Sequence, residues 1–340
     1  MKVPHFLKVL KRKALSNKYG KWHIAQKECD NYRKSSERLN EGYFIENQAQ
    51  ESKSKTAIVI YDNKKRAFGF ADRLRSIISI YKTCSELGID FKILFTHPFN
   101  LSRYLQPNVV DWEIDAENLC YNLNSTDICC LEMRTGTDFE IAQHEKWFKK
   151  ELRKKYREFH IRTNTAYSFK YDFATMFNKL FRPSPLLDRL ISKHLEILGD
   201  KYISVSFRFL DLLGDFNEPD STNGHLSDTK RKELIHKNIK QIELLHKRYP
   251  NTRILVNSDS CTFLEAAKKM EYTYIVPGNI EHVDNTLNKA EDAHDKTLTD
   301  FFLIAHAKEV YLFITGNMYN SNFPYAASLI YNKPFNRIYF

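Results

Sequence analysis

The chain has 340 residues, 42% of them hydrophobic and 28% charged, which allows one large or two ordinary domains with a buried core. Its 10 glycines and 10 prolines exclude long flexible linkers and low-complexity tracts. The net charge of +10 favours anionic partners and leaves nucleic acid, an anionic membrane surface and a phosphorylated substrate open.

Residues 1–21 carry Lys2, Lys8, Lys11, Arg12, Lys13, Lys18 and Lys21 and no acid. Phe6, Leu7, Leu10 and Leu15 lie among them at helical spacing, so the segment reads as a short basic amphipathic helix. Such a helix can lie on an anionic membrane surface or dock on the protein's own body. With the polar linker Asn47–Lys55, residues 1–55 form a basic helical extension.

Thr56–Tyr61 (TAIVIY) is the first strand. A loop, DNKKRAFG, leads to a helix over Phe70–Leu87, whose Leu74, Ile77, Ile78 and Tyr81 mark the buried face, and Gly88 ends it. Phe91–Phe95 is the next strand, completing a β-loop-α-β unit of the doubly wound kind. Loop-like sequence around Pro98 and Pro107 precedes a strand at Ile128–Met133. From His144 to Lys193 the pattern reads as mostly helical, broken at Phe181–Leu187 (FRPSPLL). Within it Lys149, Lys150, Arg153, Lys154, Lys155 and Arg157 read as a solvated helix face. The helix Pro185–Leu198 ends at Gly199, where the domain boundary is placed.

The second half alternates strands at Tyr202–Phe207, Arg253–Asn257, Tyr272–Val276 and Glu309–Ile314 with helices at Asp228–Tyr249, Ser260–Met270, Thr297–Ala307 and Asn322–Tyr331. Short strands alternating with helices imply a parallel sheet covered on both faces. The expectation is two Rossmann-like α/β domains, 56–199 and 200–340, with a cleft between them. Pockets favour domain interfaces and the carboxyl ends of strands.

Six cysteines show no C-x-x-C spacing, and the N-terminus has no secretory apolar segment. Reduced, buried thiols in a cytoplasmic protein are the simplest account. No G-x-G-x-x-G or G-x-x-x-x-G-K follows a strand, which argues against ordinary dinucleotide and P-loop ATP binding. There is no D-x-D and no His/Cys cluster at metal spacing, so no metal is expected. Polar clusters sit just past the strands of the second half. They are Arg208; Ser258, Asp259 and Ser260; Gly278, then His282; and Ser321, Asn322 and Phe323. An arginine at a strand's carboxyl end can fork onto a phosphate, or it can pair with Asp211 or Asp215 and serve only the fold. The serines can bind phosphate at helix N-termini or simply cap them. Their convergence on one sheet edge argues for a nucleotide site.

In order along residues 56–335, these stretches resemble the fucosyltransferase superfamily, which includes nodulation fucosyltransferases and protein O-fucosyltransferases. The matching motifs are Gly69-Phe70-Ala71-Asp72-Arg73-Leu74-Arg75, Arg182-Pro183-Ser184, Ser206-Phe207-Arg208, Ser258-Asp259 and Ser321-Asn322-Phe323. The resemblance implies a GT-B fold, GDP-fucose as donor and inverting transfer without a metal. It puts Arg208 on the diphosphate, the loop with Gly278 and His282 at the guanine, and Asp300 near the base or ribose. In two places the chain departs from the family. Ser206 stands where the family has histidine, and the Gly-Asp that closely follows the arginine in relatives lies further on, as Gly214-Asp215.

Arg208 and helix-terminal amides would then stabilise charge on the departing diphosphate. The general base should lie on the first domain. Asp72 is the motif-placed candidate, with a helix cap as its other reading, and Glu132 and Asp138 are alternatives. His97 and Trp112 would meet the acceptor, though Trp112 also suits packing under its loop. The implied acceptor is a glycan or glycolipid of the bacterial surface type, met on the cytoplasmic side, with residues 1–21 suited to peripheral contact at the inner face of the membrane. Two other readings compete: a nucleic-acid-binding protein using its basic surface, and a catalytically inactive glycan-binding relative.

Overall fold

The computed structural model describes residues 39–40, 42–46, 54–64, 69–131, 138–163, 172–216, 224–280, 290 and 292–340. The basic helix expected over 1–21, and Glu132 and His282, lie outside them. In chain order the elements are β1 (Thr56–Tyr61), α1 (Phe70–Leu87), β2 (Asp90–Phe95), β3 (Leu105–Pro107), β4 (Thr126–Leu131), α2 (Asp138–Glu151), β5 (Glu158–Thr163), α3 (Phe173–Leu180), β6 (Phe181–Pro183) and α4 (Pro185–Leu198). There follow β7 (Tyr202–Phe207), α5 (Asp228–Arg248), β8 (Arg253–Ser258), α6 (Cys261–Ala267), β9 (Thr273–Tyr274), α7 (Asp295–His306), β10 (Glu309–Ile314), α8 (Phe323–Ile330) and β11 (Phe335–Tyr339). They make two compact units. The second holds Phe173–Phe340 together with Gly69–Ala71 and Pro98–Asn108.

The first unit is built on a parallel sheet of order β2-β1-β5-β4. The expected buried face of α1 is observed, with Leu74, Ile77, Ile78 and Tyr81 all buried. β5 corrects the sequence reading, which took this stretch as helical. Its Phe159 and Ile161 are apolar and buried, while Glu158, His160 and Arg162 occupy the alternate face. Those three polar groups take hydrogen bonds from each other and from residues far along the chain, with Arg162 Nε left buried and without a partner among the described residues. His160 bridges Glu158 Oε2 (3.0 Å) and the Tyr43 hydroxyl (2.6 Å), and Glu158 also accepts from the Cys120 amide at 2.9 Å. Arg162 forks onto Asp62, with Nη2 at 2.7 Å from Oδ2. Burial alone would raise the Asp62 carboxyl, but the hydrogen bonds and charge of Arg162 outweigh it and hold it below the usual carboxylate range.

Of the basic run expected on one solvated helix face, only Lys149 and Lys150 lie on α2; Arg153, Lys154, Lys155 and Arg157 fall between α2 and β5, and the run carries ion pairs. Lys149 meets Glu86 at 2.7 Å and Glu145 at 2.9 Å, and Lys154 meets Asp127 at 3.1 Å. Cys84, Cys129 and Cys130 are buried, but Cys261 is exposed and Cys120 partly so; none of these five described cysteines is bridged. Burial pushes the Cys84 thiol up, which makes it inert.

The second unit carries a parallel sheet of order β11-β10-β7-β8-β9 and a small antiparallel pair, β3 with β6. β11, unread in the sequence, closes the sheet beside β10. The helices α3 and α4, which precede the Gly199 boundary, belong to this unit, with α4 packed on α7 and α3 on α8. Leu187, Ile191 and Leu198 of α4 are buried, so its apolar face decides where it packs. One face of the sheet is apolar: Ile203, Val205, Phe207, Ile254 and Val256 pack with Ile242 and Leu245 of α5 and with Phe263 of α6. The alternate residues of β7 are Tyr202, Ser204 and Ser206, all buried, and the Tyr202 hydroxyl donates to the Leu303 carbonyl of α7 at 2.5 Å. No described helix is long and apolar enough to cross a membrane.

Candidate functional site

Parallel register sets the site. The last pair of β7 and β8 is Phe207 with Ser258, so Arg208 and Asp259 emerge side by side at the carboxyl edge. Arg208 Nε lies 3.3 Å from Asp259 Oδ2, and the same carboxylate accepts from the Phe209 and Leu210 amides, each at 2.8 Å. Burial pushes the Asp259 carboxyl up, opposed by the charge of Arg208 and by those amides. The sequence offered Asp211 or Asp215 as the partner of the arginine; Asp215 bonds the start of the next helix, and Asp259, which the sequence did not offer in this role, meets the guanidinium. The turn it fixes is strained: Leu210 has φ 54°, a left-handed conformation rare for a bulky side chain. The Arg208 guanidinium also lies over the Phe216 ring, 4.7 Å from its centroid.

The neighbouring loops tie into this turn. The Tyr319 amide donates to the Arg208 carbonyl at 2.9 Å, which brings the loop after β10 beside the arginine. In that loop the Ser321 hydroxyl accepts from the Phe323 amide at 3.2 Å, and Asn322 is the N-cap of α8 without a side-chain cap bond. Phe323 packs edge-on against Phe301 (4.9 Å between centroids), and Phe301 also meets Phe70 at 5.2 Å. Thus Phe70, from the glycine-containing motif, stands in the second unit beside the Ser-x-Phe motif. Gly69 faces open space.

Asp215 closes α6. It accepts from the Ser260 hydroxyl at 2.8 Å and from the Thr262 amide at 2.7 Å. Ser260 in turn caps Phe263 (3.1 Å), and Ser258 accepts from the Ser260 amide at 3.1 Å. These groups therefore cap α6, the second of the two roles their spacing allowed. Further along the edge, Lys296 joins the Val276 carbonyl (2.9 Å) to Asp300 Oδ2 (2.8 Å). Asp300 Oδ1 is buried without a partner, and burial raises its carboxyl against the pull of Lys296. Gly278, at φ 125°, lets the Lys296 stem pass at 3.2 Å from where a Cβ would be. Lys296 was not singled out in the sequence, although its i,i+4 spacing to Asp300 was a readable signal.

Asp72, Arg73, His97, Trp112 and Asp138 belong to the first unit. Asp72 sits in the first turn of α1, 3.5 Å from Arg75, where a carboxylate suits the helix dipole. Arg73 is buried; it donates to the His97 carbonyl at 2.7 Å and lies over the Tyr61 and Phe95 rings, which makes it a brace between α1 and the end of β2. Trp112 is fully buried, matching its packing reading.

No family model matches the sequence, and no curated protein matches it. Solved structures do resemble it. A mutant of Arabidopsis thaliana FUT1 in complex with GDP superposes with a TM-score of 0.53 at 13% identity, covering 100% of this chain and 80% of that one. NodZ alpha-1,6-fucosyltransferase co-crystallized with GDP gives 0.53 at 14% identity, over 82% of this chain and 93% of that one. POFUT1 in complex with GDP gives 0.50 at 12% identity, over 86% and 99%. At these identities the likeness is one of architecture, and this chain has the fold of the GT-B fucosyltransferases.

Proposed function

We propose that this chain is a glycosyltransferase that takes fucose from GDP-fucose and passes it to a glycan acceptor, with inversion and without a metal ion. The observation that carries this reading is Arg208. Its side chain is 23% exposed at the carboxyl edge of the second sheet, and a buried carboxylate fixes it from the β8 side. A guanidinium held in this way is preorganised for a diphosphate, whose leaving oxygens gain charge as the glycosidic bond breaks. The partnerless Oδ1 of Asp300 supports guanine as the base, because a carboxylate oxygen can accept from the N–H groups on the guanine edge. The structural neighbours above were solved with GDP.

The sugar would pass through an oxocarbenium-like state while a base takes the proton of the acceptor hydroxyl. We assign that base to Asp72. The acceptor we favour is a surface polysaccharide or glycolipid met from the cytoplasmic side.

The test is calorimetric titration with GDP in EDTA, on wild type and Arg208→Ala. Micromolar binding that weakens about ten- to a hundredfold in the variant supports the donor site, since losing a charge-assisted contact costs about 1.5–3 kcal/mol. Wild type that ignores GDP but binds UDP, ADP or an oligonucleotide sinks the donor assignment. GDP binding without turnover of GDP-fucose across a glycan panel points instead to the inactive relative, the reading that Ser206 in place of histidine keeps alive.

A further inference from the structure

Two residues inward from Arg208 and Asp259, parallel register pairs Ser206 with Asn257. Registered partners in a parallel sheet point to the same face, and two residues along a strand keep that face. Ser206, Asn257, Arg208 and Asp259 therefore share one side of the sheet, opposite the Ile203, Val205, Phe207 core. Ser206 is 6% exposed and Asn257 8% exposed. The Ser206 hydroxyl is buried with no hydrogen-bond partner, and so is Asn257 Oδ1. The Asn257 amide nitrogen reaches Ser204 Oγ at 3.3 Å, so with the amide turned either way one of its two ends is left over. On the other side of Ser206 the registered neighbour is Leu312, which offers nothing polar from its side chain.

Buried polar groups are nearly always paired, and two orphans side by side at a sheet edge mark a place where something else completes the bonding. The chemistry narrows what that is. A serine hydroxyl both donates and accepts, and an amide end does one or the other. Their joint complement is a group that also donates and accepts. A phosphate oxygen suits the pair only when the amide nitrogen is the end left over, since it would meet the amide oxygen acceptor against acceptor, and a methyl group would leave both orphans unmade. A hydroxyl fits. Its place beside the Arg208 turn puts it next to the diphosphate, on the ribose or on the transferred sugar. We infer that Ser206 and Asn257 form a hydroxyl-binding notch for the nucleotide sugar, and that this notch takes over the ground held by histidine in the family the sequence resembles. The inference rests on the nucleotide-sugar reading above. It makes the pair a determinant of specificity, because a site built to bond a hydroxyl discriminates strongly against the analogue that lacks it.

The test is calorimetric affinity of wild type, Ser206→Ala and Asn257→Ala for GDP, 2′-deoxy-GDP, 3′-deoxy-GDP and GDP-fucose. If the ribose supplies the hydroxyl, wild type binds one deoxy analogue about three- to thirtyfold more weakly than GDP, and that gap closes in Ser206→Ala. If the transferred sugar supplies it, wild type binds GDP-fucose more tightly than GDP by a similar factor, and Ser206→Ala narrows that difference. The analogues read the notch in the unaltered protein, so a variant that fails to fold does not remove the test. Equal affinity of wild type for all four ligands overturns the notch while leaving the GDP site standing. So does a pair of variants that tracks wild type throughout, as when the two orphans share only a buried water. Wild type that binds none of the four overturns the nucleotide reading and the notch together.

Discussion

Asp259 illustrates how one carboxylate can order a turn, since it meets Arg208 and two backbone amides at once. Two acids, Asp211 and Asp215, lie close to Arg208 in sequence, and spacing along the chain pointed to them. The partner came from the next strand because β7 and β8 end in step. That fact belongs to strand register, which no single-sequence pattern carries. Asp259→Asn leaves the volume intact but removes the charge and one of the two oxygens that bind the Phe209 and Leu210 amides. Breaking a buried charge pair costs about 3 kcal/mol, so the urea midpoint should fall clearly and GDP affinity with it. An unchanged midpoint would show that the turn holds without the carboxylate. Asp62 makes the complementary case for pH. Its carboxyl is held below the ordinary value of about 3.9 by Arg162, so the pair's stability is fully present above that value. It is lost as pH falls through the depressed folded pKa. The stability gap between wild type and Asp62→Asn should therefore be large at neutral pH and shrink below roughly pH 4. A gap that stays constant down to acid would mean that the ion pair contributes nothing.

Most elements were readable because apolar periodicity wrote them: β1, α1, α4, β7 and β10 carry the bounds their patterns imply. β5 was not, although it is a central strand of its sheet. Its Glu158, His160 and Arg162 look like a solvated helix until Tyr43, Asp62 and the Cys120 amide are brought to them from far along the chain. The burial of this strand depends on those partners. His160→Ala removes a fully buried ring and strands the Tyr43 hydroxyl and one Glu158 bond, so we expect a loss of about 2–4 kcal/mol in urea unfolding. A change within 0.5 kcal/mol, the size of an ordinary surface substitution, would show β5 to be held by its apolar face alone. β11 escaped notice for another reason: it is a short edge strand with an exposed Arg337, Ile338 and Tyr339, too polar and too brief to show alternation. At the end of the Arg208 turn, Gly214 takes φ 76°. Alanine there would be strained by about 1–2 kcal/mol and would push the Arg231 guanidinium from its 2.8 Å approach. Gly214→Ala should accordingly lower the melting temperature, while Gly214→Asn, a residue that tolerates the left-handed region, recovers part of the loss.

For the whole molecule, the net charge of +10 left nucleic acid and nucleotide sugar as rival partners. The described basic run of the first unit is occupied in part by Glu86, Glu145 and Asp127. The residues that gather at the carboxyl edge of the second sheet instead suit a nucleotide: an arginine for the phosphates and an orphaned carboxylate oxygen for base N–H groups. The two partners leave different marks on stability. A ligand that binds only the folded chain at a hundred times its Kd stabilises it by about 2.7 kcal/mol. For GDP in EDTA, hydrogen exchange should slow at Arg208–Phe216, Ser258–Phe263 and Tyr319–Phe323, where the β7, β8 and β10 loops meet. Exchange in β1 and β5 should change little, and adding 0.2 M salt should weaken the effect only modestly. A nucleic acid would instead lose affinity steeply with salt, by about a factor of a thousand or more between 50 and 200 mM when six or more phosphates are held. Protection confined to the second-sheet loops and tolerant of salt would place the working site at Arg208. Protection that spreads over lysine-rich segments and collapses with salt would place it on the basic surface, and the pairing of Arg208 with Asp259 would then be structure alone.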